Sequence, residues 1–129
     1  MVALDDLLGK AEPQYLESIT SALAGIEPAL ADLHYALGTA DGVALVYQKL
    51  DVNERLALKT IAFSGSERGV DSTAVWQAVN RNEGAGLASG RLSCERLRAL
   101  GLIFESLAVS GRVRYLVAQE TCQAAMQLV

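Results

Sequence analysis

The chain has 129 residues, about half of them hydrophobic, and a formal net charge of −4. This length suffices for one ordinary domain, and this apolar content argues against a disordered chain. No apolar run reaches the ~18 residues that cross a membrane, and the N-terminus lacks the basic start and long apolar stretch of a secretory signal. We therefore expect a soluble, cytoplasmic protein with no membrane partner.

The charge is unevenly distributed along the chain. Residues 1–58 contain three basic and nine acidic residues, a net charge of −6. Residues 59–116 contain eight basic and five acidic residues, a net charge of +3, and seven of the eight basic residues are arginine. Arginine makes bidentate contacts with phosphate and guanine, so the second part is the better candidate for binding an acidic polymer.

Residues 1–50 are predicted to form a helical extension. Proline opens two segments at Pro13 and Pro28, Gly38 stops the second, residues 39–42 form a candidate linker, and a third segment covers 43–50. Short amphipathic helices bury little by themselves, so they must pack on the second half, on a partner chain or on both. We expect a homodimer or protein-partner interface formed by apolar residues of the first two segments: Tyr15, Leu16, Ile19, Leu23, Leu30 and Leu33.

Residues 51–118 show a different pattern. A helix is predicted after an N-cap at Asn53, and a second helix after an N-cap at Asp71 or Ser72. A third helix runs over 89–100 and ends at Gly101. A strand over 102–109, a turn at Ser110 and Gly111 and a return strand over 112–117 follow. Residues 119–129 are predicted to be a last helix.

The seven residues 97–103, Leu-Arg-Ala-Leu-Gly-Leu-Ile, close the third helix and open the hairpin. Together with this order of elements, the sequence of this junction resembles that of the winged helix-turn-helix superfamily. The resemblance covers about half of the chain. The predicted fold class is therefore mainly α with a small β-hairpin: a winged helix-turn-helix over 51–118, a short helical extension over 1–50 and a C-terminal helix over 119–129.

The resemblance implies binding of double-stranded DNA, with the third helix in the major groove and the hairpin, or wing, on the phosphate backbone. Helical geometry places three arginines on the flanks of that helix and Glu95, which can accept from cytosine, on its outward side. Ser89 lies at the helix N-terminus, which favours phosphate. The predicted DNA-binding residues are Ser89, Arg91, Glu95, Arg96, Arg98, Ser110, Arg112 and Arg114.

Catalysis is not expected. The chain has one histidine, His34, and two cysteines, Cys94 and Cys122, that fall within apolar helical patterns. This set gives no metal site, no catalytic triad and no phosphate-binding loop, so we expect no metal and no cofactor.

Three functions are compatible with the sequence. The first is a dimeric transcriptional regulator that associates with the nucleoid. The second is a winged-helix protein-interaction module of a larger assembly, such as one built on an ATPase or a replication initiator, with little or no DNA binding. The third is a small inhibitor that imitates DNA with its acidic half.

Overall fold

The computed structural model describes residues 2–64, 69–82, 86, 88–107 and 111–128, and it is mainly helical with a small antiparallel sheet. The helices of the first part are α1 (Leu4–Lys10), α2 (Pro13–Ile26), a 3-10 helix (Pro28–Ala31), α3 (Leu33–Gly38) and α4 (Ala40–Tyr47). The elements that follow are α5 (Val52–Phe63), β1 (Val70–Asp71), α6 (Ser72–Asn80), α7 (Ser89–Ala99), β2 (Phe104–Leu107), β3 (Val113–Leu116) and α8 (Gln119–Met126). Within the described ranges, no helix combines the length and apolar character needed to span a membrane.

Side-chain caps set the helix boundaries of the first part and correct two predictions. The segment after Pro28 is not one helix, because Asp32 accepts from the backbone N–H groups of His34 and Tyr35 and starts α3 separately. Residues 39–42 are not a linker: Thr39 accepts from the backbone N–H of Gly42 and starts α4. Both outcomes follow from the preference of short oxygen-bearing side chains for helix N-termini.

The N-cap of α5 is Asp51, and the prediction of Asn53 is wrong. Asp51 accepts from the backbone N–H of Glu54 at 2.7 Å, and the Glu54 side chain accepts from the backbone N–H of Asp51 at 2.9 Å. This reciprocal capping box satisfies two donors at once and outweighs what Asn53 offers as a single cap. Asn53 instead accepts from the side chain of Asn82 at 3.2 Å, which joins α5 to the end of α6.

The sheet has the order β1-β3-β2, with both pairings antiparallel. The predicted hairpin is present as β2 and β3, with Phe104 opposite Leu116 and Leu107 opposite Val113. Gly111 has a φ of +80°, a value that favours glycine, while Ser110 of the predicted turn lies outside the described residues. Strand β1 was not predicted; it precedes α6 and pairs Val70 with Tyr115.

One core joins the two parts of the chain. Gly101 has a φ of +76°, and a Cβ there would lie 2.9 Å from side-chain atoms of Ile19 and Leu37. The extension therefore packs directly against the end of α7. Its apolar residues Ile19, Leu23 and Leu30 are 0% exposed, so the expectation that they form an interface with a second chain is wrong for these three. Tyr15, Leu16 and Leu33 are half-buried.

Helix α8 completes the core from the other end of the sequence. The Thr121 hydroxyl donates to the carbonyl of Leu37 at 2.6 Å, and the Cys122 thiol contacts the carbonyl of Ala62 at 3.4 Å. Its first turn also holds α1, because the Glu120 carboxylate accepts from the backbone N–H of Leu4 at 3.1 Å. Helix α8 thus bridges α1, α3 and α5.

Candidate nucleic-acid interface

The outward face of α7 is exposed as the sequence predicted. Cys94 and Leu97 are completely buried on the inner side, and Leu100 and Gly101 continue that buried line. On the outer side, Leu92 is 61% exposed, and Glu95 and Ala99 are exposed beside it.

Two polar side chains organise the start of α7. The Ser89 hydroxyl accepts from the backbone N–H of Gly86 at 2.8 Å, and the Asn80 carboxamide oxygen accepts from the backbone N–H of Gly90 at 2.7 Å. The N-cap position itself is Ala88, whose side chain has no oxygen to accept. Ser89 therefore stabilises the preceding turn, which is a structural role beside the phosphate contact that the resemblance implied.

The arginines of α7 are divided between its two flanks. Arg91 and Arg98 are two helical turns apart and share a flank with Glu95, while Arg96 lies on the other flank. The Nε of Arg91 lies 3.3 Å from a Glu95 carboxylate oxygen, and the Nε of Arg98 lies 3.6 Å from a carboxylate oxygen of Glu105 on β2. Arg96 is exposed and forms no ion pair with the residues that the structure describes.

The two hairpin arginines turn toward β1. Arg112 Nη1 lies 3.4 Å from an Asp71 carboxylate oxygen, and Arg114 Nη1 donates to the carbonyl of Gly69 at 3.2 Å. The pKa of Asp71 is lowered. The larger cause is the hydrogen bond that its carboxylate accepts from the backbone N–H of Thr73, and Arg112 lowers the pKa further. The sequence did not predict either partner, Asp71 or Gly69.

The charge of this surface is therefore smaller than the arginines alone suggest. The five arginines of α7 and the hairpin are accompanied by three paired carboxylates, on Asp71, Glu95 and Glu105. Exposed ion pairs contribute about 0–1 kcal/mol each, so a phosphate competes with them on nearly equal terms. The surface keeps a small net positive charge.

A cavity of about 210 Å³ lies in the gap between α7 and the sheet. Trp76 and Tyr115 line it, and the indole N–H of Trp76 donates to the Tyr115 hydroxyl at 3.1 Å. The charged residues of the lining are Arg91, Glu95 and Glu105. Burial raises the pKa of Tyr115 to about 12, so this hydroxyl stays neutral. Glu105 was not among the predicted site residues, although its exposed position next to buried Phe104 follows from strand alternation.

No metal centre is assembled from the described part of the chain, where no three His, Cys, Asp or Glu side chains come together. Cys94 and Cys122 are free and buried. Burial raises the pKa of the Cys94 thiol to about 12. His34, the single histidine, is exposed and lies 2.6 Å from a carboxylate oxygen of Asp5.

Comparison with models of protein families, with curated proteins and with solved structures finds no match for this chain.

Proposed function

We propose that residues 51–118 form a winged helix-turn-helix that binds double-stranded DNA, with α7 in the major groove and the β2–β3 hairpin along the backbone. The observation that carries this proposal is the element order α5-β1-α6-α7-β2-β3 with the strand order β1-β3-β2. This arrangement leaves the outer face of α7 uncovered and puts a hairpin with two arginines beside it. An exposed helix flanked by guanidinium groups suits the width and the charge of a major groove.

Sequence-independent attraction to phosphate is the first property to measure. The slope of log affinity against log salt is about −0.9 for each neutralised phosphate. Engagement of Arg91, Arg96 and Arg112 predicts a slope of about −2 to −3 on random duplex DNA. A modest slope of this size follows from the small net charge of the surface.

The variant that tests the surface is Arg91→Ala combined with Arg96→Ala, because both side chains are exposed and lie on opposite flanks of α7. We expect it to weaken duplex binding about tenfold or more. Arg114 is left in place, because its bond to the carbonyl of Gly69 holds the hairpin to β1.

The matched control removes two positive charges elsewhere, through Lys49→Gln with Lys59→Gln. Lys49 is exposed just after α4, and Lys59 lies 6.0 Å from the ring centre of Tyr47, which is also on α4. Duplex affinity equal in the two double variants would contradict the assignment of the surface to α7.

A homodimer is the second part of the proposal, because two-fold DNA sites favour two-fold proteins. Because Ile19, Leu23 and Leu30 are buried within the chain, we place the candidate dimer interface at the ends of α5 and α8 instead. Phe63 is 53% and Met126 is 47% exposed, and the contact between Cys122 and Ala62 brings the ends of α5 and α8 together.

Sedimentation of Phe63→Ser with Met126→Ser tests this interface and should show a monomer. Val52→Ser is the matched control, since Val52 is 70% exposed at the opposite end of α5. An unchanged dimer in the double variant would reject the interface, and a monomeric unmodified protein would reject the dimer.

The alternative is a protein-interaction module of a larger assembly. It is favoured by the carboxylates of Glu95 and Glu105 in the gap between α7 and the sheet, where they oppose an approaching phosphate. The exposure of Leu92 at the centre of the outer face also suits an apolar partner better than DNA. Absence of duplex binding by the folded protein at low salt would select this alternative.

A further inference from the structure

A second cavity lies where α1, α2 and the end of α7 meet the hairpin. Its volume is about 350 Å³, within the range of small-molecule sites. The residues that determine its chemistry are Leu7, Lys10, Tyr15, Arg98, Phe104 and Glu105. It shares Glu105 with the gap lined by Trp76 and Tyr115, but its other lining residues include Leu7, Lys10 and Tyr15 of the N-terminal helices.

One wall of this cavity is apolar and well supported. Phe104 is 6% exposed, and the Tyr15 ring meets it edge to face, with 6.2 Å between ring centres and 84° between planes. The Tyr15 hydroxyl donates to the carbonyl of Arg98 at 2.6 Å, which fixes the ring. Leu7 of α1 adds a further apolar side chain to the lining. This geometry suits a short alkyl chain or a ring.

The cavity carries a net positive charge, because two cations, Lys10 and Arg98, line it together with one carboxylate, Glu105. Lys10 forms no ion pair or hydrogen bond with any residue in the described ranges. The Arg98 guanidinium carbon lies 5.3 Å from the centre of the Tyr15 ring, which orients the group. Its 3.6 Å separation from Glu105 is too long for a hydrogen bond, so the guanidinium donors are unused among the described residues.

We propose that this cavity binds a small organic acid. The apolar part of the ligand lies between Leu7 and Phe104, and its carboxylate accepts from the guanidinium of Arg98 and from the ammonium of Lys10. Two cations and the single carboxylate of Glu105 leave one net positive charge, which favours a ligand with one negative charge. The fork of an arginine matches a carboxylate in two hydrogen bonds, and the neighbouring apolar wall strengthens them by excluding water. The site does not depend on DNA binding.

The test is a titration of the full chain with octanoate, followed by the backbone amide resonances and by the Arg98 Nε–H resonance. Two probes of the same length serve as controls, neutral 1-octanol and cationic octylammonium. We expect saturable shifts at Lys10, Tyr15 and Ser106 and at the Arg98 side chain. We also expect octanoate to bind about tenfold more tightly than 1-octanol, because the charged hydrogen bonds are made by octanoate alone.

Variants distinguish the contribution of the charged groups to binding from that of the apolar wall. Arg98→Gln and Lys10→Gln should each weaken octanoate several-fold while leaving 1-octanol unchanged, and Lys49→Gln, an exposed lysine outside the cavity, should change neither. Arg98→Gln removes the stacking of Arg98 on Tyr15, which could disturb the fold. Because Lys10 is exposed, we expect Lys10→Gln to fold normally and to test the charge by itself.

Ala11→Trp places a large ring at the cavity wall and should abolish both octanoate and 1-octanol binding. The proposal is overturned by equal affinity for octanoate and 1-octanol, by preference for octylammonium, or by the absence of saturable shifts at millimolar octanoate. It is equally overturned if Lys10→Gln leaves octanoate affinity unchanged.

Discussion

The backbone of Trp76 leaves no room for a side chain at Gly90. A Cβ on Gly90 would lie 2.4 Å from both the Cα and the carbonyl oxygen of Trp76. The Asn80 carboxamide holds the same glycine through its backbone N–H. The separation of α6 from α7, and with it the position of the proposed DNA-binding helix, therefore depends on this one close approach.

Gly90→Ala should lower the free energy of unfolding by about 1–3 kcal/mol, because backbone atoms cannot move aside as a flexible side chain can. Urea denaturation measures this change. Gly25→Ala in α2 is the matched control, since a Cβ there meets nothing within 4 Å. We expect that control to match or slightly exceed the parent stability. A Gly90→Ala protein as stable as the parent would show that the two helices are not tightly packed.

Tyr15→Phe should cost about 1 kcal/mol of stability, because it removes the hydrogen bond to the carbonyl of Arg98 and keeps the ring. Thermal and urea unfolding both report the change. Tyr35→Phe is the control, since the Tyr35 hydroxyl donates to no residue that the structure describes. Equal losses in the two variants would mean that the bond between α2 and α7 contributes no specific stability.

The carboxyl of Asp71 should titrate below its ordinary pKa in the folded protein. Because its folded pKa is below its unfolded pKa, its stabilising effect is complete above the unfolded value and is lost as the pH falls through the folded value. In Arg112→Ala, the pKa of Asp71 should rise but stay below ordinary, since the Thr73 backbone N–H is the larger cause.

A carbon-13 titration of the Asp71 side chain measures its pKa in the parent protein and in Arg112→Ala. Thr73→Ala keeps the backbone N–H and serves as the control, with only a small change expected. An ordinary pKa for Asp71 in the parent protein would refute both the cap and the ion pair.

Neither cysteine should react with a thiol reagent in the folded protein at mildly alkaline pH. Burial raises the pKa of both Cys94 and Cys122, so neither forms the nucleophilic thiolate. A chromogenic disulfide reagent should modify both after denaturation and neither before. Rapid modification of the native protein would show that these helices open readily.

The sequence predicted the elements whose signals are local. The apolar spacing of α7, the glycine at position 101 and the alternation in the hairpin all gave correct elements, because each depends on residues close in sequence. Strand β1 was missed because two residues carry no periodicity, and Val70 becomes a strand only by pairing with Tyr115.

Surface chemistry was harder to predict for a physical reason. The spacing of Ile19 and Leu23 shows that a helix face is buried, but it does not show whether the same chain or another covers it. The sequence likewise assigned the arginines to α7 and to the hairpin. It did not show that the carboxylates paired with Arg98 and Arg112 come from β2 and β1. Ion pairs between distant segments depend on tertiary geometry, and a single sequence does not encode their distances in any local pattern.

The bond between Leu4 and Glu120 spans 116 positions of the chain. Closing a loop of that length requires a large loss of chain entropy before α1 gains any contact with α8. During synthesis, this contact forms only after Glu120 has been added to the chain. We therefore expect slower refolding than for a helical bundle with mainly local contacts, and a late step in which α8 docks.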